Sequence, residues 1–356
     1  MRFIFKLIKW LLIVLVLVVL GLAAPVAYVE TLCREDITAS TYKPLITDPA
    51  FRRRQANTYL TYPEWHIVYA YDGLAETLKR GDEYQFDYLS SIGGFWGSTC
   101  SLMRIADQHG GVDQPTRLMI HTIGVSFTLE MGLKAAYEET VGRLFVWLRG
   151  PQKTPQDDAV VAMAIDYSAF LRQTPWYAYD FNKANDALWA APIADVSRGW
   201  ERRLAIGTEW KAKSWYAKAI AAGVAATEPA KLEIRSVVSG LSTADLQAIA
   251  DVKVISETPE GVVIETPRYD IFTHILQKII ARGGLIREIA GNDEIMLSLT
   301  VPIGSAYQGP GEIITRMKRE GFASERMLVS LKVGELPAAF QVMQIADPGI
   351  EHVFDY

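Results

Sequence analysis

The hydrophobic pattern divides the chain into three regions of different period. Trp10 to Val29 is a run of 20 residues without a charge, and its centre, Leu11 to Leu20, contains only Leu, Ile and Val. Twenty helical residues at about 1.5 Å each span about 30 Å, the thickness of a bilayer's hydrocarbon layer. Arg2, Lys6 and Lys9 precede the run, and Glu30, Arg34, Glu35 and Asp36 follow it. The basic flank is expected to stay in the cytoplasm and the remaining chain to lie outside, although Arg52, Arg53 and Arg54 oppose that bias. A cleaved signal peptide is the rival reading. It fits less well, because its apolar region would be shorter and Pro25 disturbs both candidate cut sites, after Ala24 and after Ala27.

From about Tyr62 to Ala226 the apolar residues recur with helical spacing. Helices are expected over 62–80, 84–108, 115–148, 156–173, 175–190 and 195–226, each bounded by Pro or Gly and joined by short connections, as in a bundle. After Glu228-Pro229 the period shortens. Val252–Glu257 and Val262–Thr266 read as a hairpin around Pro259-Glu260-Gly261. Tyr269–Arg282 reads as a helix. Leu285–Ala290 and Glu294–Val301 read as a second hairpin across Gly291-Asn292-Asp293, giving a β-β-α-β-β unit. A helix around Gly311–Glu320, a strand near Met327–Val333 and a short C-terminal helix complete the expectation. The fold class is therefore α+β. Residues 1–29 form a cytoplasmic stub and transmembrane anchor, 30–61 a stalk, 62–228 a helical domain, and 229–356 a mixed domain with an antiparallel sheet.

Composition changes this picture little. The mean hydropathy of +0.10 is high for a soluble chain of 356 residues. Without residues 1–29 it falls to about −0.1, an ordinary soluble value. Setting aside the three basic residues of the stub leaves 33 Lys and Arg against 41 Asp and Glu, a net charge of about −8 for the rest. A nucleic-acid surface needs the opposite sign, so no nucleic-acid partner is expected. The expected partners are the membrane and a protein or lipid. The two cysteines, Cys33 and Cys100, lie on the same expected side and form a candidate disulfide; two separate thiols are the alternative.

One constellation of polar residues stands out. Glu130, Lys134 and Tyr137 lie on one helix, and Glu209, Lys213 and Tyr216 repeat the spacing on another. At about 100° per residue each triplet forms a stripe on one face. Tyr69-Ala70-Tyr71-Asp72 and Tyr177-Ala178-Tyr179-Asp180 form a second echo, and together the two suggest an internal duplication of the helical domain. Three readings remain for the stripes. They are solvated i,i+4 pairs, each contributing only about 0.3–0.5 kcal/mol; a buried structural network with Tyr hydroxyls as extra partners; or a functional cleft in which a Glu acts as acid or base beside a Lys.

Other chemistry is sparse. His66, His109, His121, His274 and His352 have no metal-ligand spacing; Asp270 and His274 form a common i,i+4 helical pair. Gly124-Val125-Ser126-Phe127 begins like a nucleophile elbow, but Thr128 stands where glycine is required. Gly93-Gly94-Phe95-Trp96-Gly97 places bulky rings where a phosphate loop needs open backbone, and is expected to allow close helix packing. Trp210, Trp215 and Tyr216 are either aromatic core or a lipid or partner surface. No metal or cofactor pattern is present. The functional expectation is a membrane-anchored, extracytoplasmic protein that binds a partner or envelope component. The alternative is a membrane-tethered enzyme or apolar-ligand carrier using the Glu/Lys/Tyr cluster.

Overall fold

A computed structural model describes residues 2–225, 232–344 and 349–356, with the side chains of 2–4, 7, 223–225 and 344 left aside. The first helix, α1 (Arg2–Leu32), contains the apolar run, and its Ile8–Leu32 portion is long and apolar enough to cross a membrane. It is the only such helix among the described residues. From Phe5 to Gly21 the described side chains of α1 are exposed, whereas Val29 and Cys33 are fully buried in the folded body.

The helical domain comprises α2 (Asn57–Leu60), α3 (Tyr62–Arg80), α4 (Tyr88–Gln108), α5 (Gln114–Tyr137), α6 (Arg143–Arg149), α7 (Pro155–Leu171), α8 (Phe181–Ala190) and α9 (Val196–Ala225). Side-chain caps fix several starts. Asp113 accepts from Thr116 N at the head of α5, and Thr154 and Asp157 form a reciprocal box at the head of α7. The helix expected over 115–148 is α5 and α6 joined by a π turn, Glu138–Gly142. Gly142 leaves room for the Glu138 carboxylate, one oxygen of which would lie 2.2 Å from a Cβ there. In the 93–97 segment only Gly94 gives a close approach, with His66 Cε1 3.1 Å from an added Cβ; Gly93 and Gly97 face open space. The Tyr-Ala-Tyr-Asp echoes lie in unlike structure, the first inside α3 and the second in a 3₁₀ turn and the cap of α8.

The mixed domain contains β1 (Glu233–Ser239), α10 (Thr243–Gln247), β2 (Lys253–Thr258), β3 (Gly261–Pro267), α11 (Asp270–Ala281), β4 (Leu285–Ile289), β5 (Glu294–Val301), β6 (Glu312–Lys318), β7 (Glu325–Lys332), α12 (Leu336–Gln344) and β8 (Gly349–Val353). These strands make two four-stranded antiparallel sheets, ordered β2-β3-β1-β4 and β6-β7-β5-β8. The expected strand-strand-helix-strand-strand order is present, but β4 and β5 do not pair as a hairpin: each joins its own sheet. Gly311–Glu320 is strand β6 and not a helix; its Ile313, Ile314 and Thr315 are β-branched, and β7 supplies the hydrogen-bonding partner.

The two sheets share one plan. In each, a helix stands between the third and fourth strands, and the order across the sheet is second, third, first, fourth; the first unit adds the short α10 after its first strand. The register breaks also correspond, between Val237 and Val238 in β1 and between Ser298 and Leu299 in β5. A second pair falls between Val254 and Ser256 in β2 and between Ile313 and Thr315 in β6. The mixed domain is thus a structural doublet.

Strand β5 is buried on both faces, which explains its nearly continuous apolar run. Its Leu297 and Leu299 join α11 and α12 in the mixed-domain core, and Met296 joins the helical-domain core. Polar contacts seal this junction: Tyr59 Oη lies 2.8 Å from Ser330 Oγ, and the Arg326 guanidinium stacks 3.6 Å over Tyr69 while pairing with Glu351. The segment expected as a stalk lies along the body. Glu288 accepts from Tyr42 Oη and the backbone of Leu45 and Ile46, and Ile46 packs on Val237 and Val263. The expected domain boundary at Glu228-Pro229 lies outside the described residues.

Candidate functional site

Helices α5 and α9 run antiparallel, which brings the two charged stripes together. Lys213 Nζ lies 2.6 Å from Glu130 and 3.2 Å from Glu209, and Lys134 Nζ lies 3.0 Å from Glu209. Each lysine therefore pairs across the helix interface. The tyrosines of the stripes do not join this centre. Tyr137 donates to Glu201 at 2.7 Å, and Tyr216 stacks half-exposed on Trp176 with ring centroids 5.3 Å apart. The hydroxyl at the centre comes from α3: Tyr71 donates to Glu130 and accepts from Lys213 at 2.7 Å.

The pairing continues inward. Glu83, in the turn before α4, takes Lys134 at 2.8 Å, Tyr88 Oη at 3.2 Å and Arg202 at 3.1 Å. Arg202 also pairs with Glu138 at 2.8 Å and with Glu201 at 2.5 Å. Arg198 links Glu201 to Asp157, both at 2.8 Å. Arg149 links Asp157 at 2.8 Å to Asp82 at 3.1 Å. Arg198 and Arg202 are among the largest fully buried side chains, an uncommon location for guanidinium groups. Such burial is tolerable only because each charge meets opposite charge and hydrogen bonds.

Within this chain Glu83, Glu138 and Glu201 share Arg202. Burial, reinforced by the Glu83 charge, pushes the Glu138 carboxyl up to about 7 against the pull of Arg202. Glu138 thus keeps a proton closer to neutral pH than Glu83, whose carboxyl Lys134 and Arg202 hold down against burial. Burial also opposes ionisation of Glu209, but Lys134 and Lys213 outweigh it and hold that carboxyl down at about 2. Burial would lower the Lys134 ammonium, yet Glu209 and Glu83 raise it, so it stays charged.

Sequence reasoning found Glu130, Lys134, Glu209 and Lys213 and missed the deeper half. A signal was available. Glu138 continues the Glu130, Lys134 spacing by one more step of four, and Arg198 and Arg202 are also four apart on the stretch of α9 before Glu209. Glu83, Asp157 and Arg149 come from other elements, and no periodicity connects them to the stripe.

The remaining candidates fall elsewhere. Cys33 and Cys100 form a disulfide with an S–S distance of 2.04 Å, joining α1 to α4. His121 meets Glu30 at 2.7 Å, at the end of α1. His274 lies 3.5 Å from Asp270. Burial pushes the His66 imidazole down to about 4, and its Nε2 lies 2.9 Å from the Ser91 carbonyl oxygen. Trp210 is buried, whereas Trp215 is 77% exposed. Among the described residues no group of three His, Cys, Asp or Glu side chains is placed to hold a metal. A surface cleft of about 450 Å³ is lined by Tyr42, Lys43, His109, Asp293, Glu294 and Lys332 among others, and one of about 660 Å³ by Arg34, Glu35, Asp36, Thr38 and Gln108. Neither includes a residue of the ion-pair chain.

No protein family, curated protein or solved structure matches the chain. What the site can do must therefore be read from its geometry. Its charges are directed at one another inside the bundle, so the arrangement joins α5 and α9 and ties both to the turn before α4.

Proposed function

We propose that the chain is a single-pass membrane protein whose folded body, outside the cytoplasm, binds a protein partner or an envelope component without catalysing a reaction. One observation carries this reading: the densest polar chemistry in the molecule is spent on internal ion pairs, from Glu130 to Asp82. The extracytoplasmic placement draws support from the Cys33–Cys100 disulfide, which suits an oxidising compartment, and from the basic residues before α1. Retention of α1 as an anchor draws support from the 20-residue length of its uncharged run and from Pro25, which disturbs both candidate cut sites.

A membrane-tethered enzyme or apolar-ligand carrier is the second reading. It is favoured by Glu138, a buried acid raised towards neutral pH in a π turn, a local geometry enriched at functional sites. Cross-linking of the full-length protein in its own membranes, followed by mass spectrometry, separates the two. The first reading expects one recurrent partner, with cross-links unchanged in Glu130→Gln and Glu138→Gln variants. Turnover or lipid capture that these variants abolish while the fold survives would overturn it.

A further inference from the structure

Helices α5 and α9 bury charged side chains beside core residues such as Phe127, Met131, Ile206 and Trp210, and also leave large apolar side chains outside. A helix on the surface of a water-soluble bundle turns its apolar stripe inward and its charges outward. Here Glu130 and Lys134 of α5, with Glu138 in the π turn that follows, point into the bundle, while Leu118, Leu129 and Leu133 face out, with Leu133 63% exposed. On α9, Arg198, Arg202, Glu209 and Lys213 point in. Val196, Trp200, Leu204 and Trp215 face out on the other side. Between them α6 exposes Leu144 and Trp147, the latter at 75%. Exposed apolar surface on this scale marks an interaction face, not chance. Paired charges inside and large apolar side chains outside are the arrangement expected of helices that meet lipid.

The occupant of this face follows from what adjoins it. The last turns of α1 join the body at α4 and α5, through the disulfide and through Glu30, which pairs with Arg117 at 3.3 Å and His121 at 2.7 Å. The apolar stripe of α5 begins at Leu118, the residue after Arg117. It is therefore adjacent to the only described helix long and apolar enough to cross a membrane. Lys211 and Lys218 are exposed four residues before and three after Trp215, where their stems can lie on lipid and their ammonium groups reach phosphate. Exposed Glu139 and Arg143, at the π turn, are long enough to extend to the headgroup layer in the same way.

We infer that the outward faces of α5, α6 and α9 are immersed in the bilayer that α1 crosses, on the side of the folded body. The helical domain is then a membrane-embedded body with a single spanning helix, and the Glu/Lys/Arg chain is its polar interior. Glu130, Lys134 and Glu138 do not oppose lipid contact, because they face the bundle and not the lipid.

The test uses the full-length protein in phosphatidylcholine vesicles whose acyl chains are brominated near mid-chain, compared with unbrominated vesicles. Fluorescence from Trp147 and Trp215 is obtained by subtracting that of Trp147→Phe and Trp215→Phe variants; both sites are exposed, so the fold tolerates the change. Brominated lipid is expected to remove about half or more of that fluorescence, with aqueous acrylamide removing little. Quenching by acrylamide and not by brominated lipid would overturn the inference. So would protection from both quenchers together with a dimer in sedimentation, which would assign the face to a second copy of the chain. A lipid-borne diazirine gives the same answer without substitution: adducts are expected within 114–149 and 196–225, and adducts confined to α1 would contradict it.

Discussion

The helical and mixed domains both bury an apolar core but differ in what they leave outside. The mixed domain follows the rule for water: α11 turns Phe272, Ile275, Leu276 and Ile279 inward, and the sheets bury Leu297, Leu299, Met327 and Val329. The helical domain keeps an aromatic core around α3 and α4, yet α5 and α9 meet through ion pairs, and Leu133 of α5, Trp147 of α6 and Trp215 of α9 remain outside. Apolar surface is placed wherever water is absent. In the mixed domain that is the interior; around α5 and α9 it is the outer face as well as the core that Phe127, Met131, Ile206 and Trp210 help to fill.

Removing one buried cation should have the largest effect. Arg202→Ala leaves Glu83, Glu138 and Glu201 without their shared partner, and a loss of about 3–5 kcal/mol is expected in chemical unfolding of the full chain in detergent. A loss below about 1 kcal/mol would show that the chain of pairs is incidental.

The next comparison sets one leucine in each region against the other. Leu297→Ala creates a cavity where the side chain is fully buried and should cost about 3 kcal/mol. Leu133→Ala, on the outward face of α5, should change stability in detergent by no more than about 0.5 kcal/mol. Equal costs would erase the contrast between the two regions.

The finest effect depends on pH. The Glu138 carboxyl titrates at about 7 in the folded protein, above its ordinary value of 4.5. Below about 4.5 the group is protonated in both states and costs nothing. Between 4.5 and 7 the unfolded chain releases its proton first, so the stability present at low pH is lost as pH rises through the folded value. Glu138→Gln removes this dependence. The variant should gain on the wild type from pH 5 to 8, by up to about 3 kcal/mol, followed by thermal unfolding across that range. A difference independent of pH would mean that Glu138 is ionised throughout.

Much of this organisation was legible in the sequence. The anchor declared itself by length and lack of charge, α3 by its Pro-Glu entry, and the stripes of α5 and α9 by fourfold spacing. The disulfide was one of two open alternatives. What escaped were relations between distant segments. The sheet doublet is carried by register and strand order, while Ile313-Ile314-Thr315 and its neighbours show too little alternation to mark β6 as a strand. The direction of the stripes was equally hidden, because spacing places Glu130 and Lys134 on one face without saying whether that face meets water or another helix.

Hydroxyl-radical footprinting of the full-length protein in phosphatidylcholine vesicles tests the immersion of this outer apolar face most directly, because it reads both regions at once. Trp147 and Trp215 are expected to be modified as slowly as buried Trp96, while Leu232 and Ile303, exposed on the mixed domain, react as freely as side chains in water. Rapid modification of Trp147 and Trp215 in the same vesicles would contradict the immersion, because it would place that face of the helical domain in water.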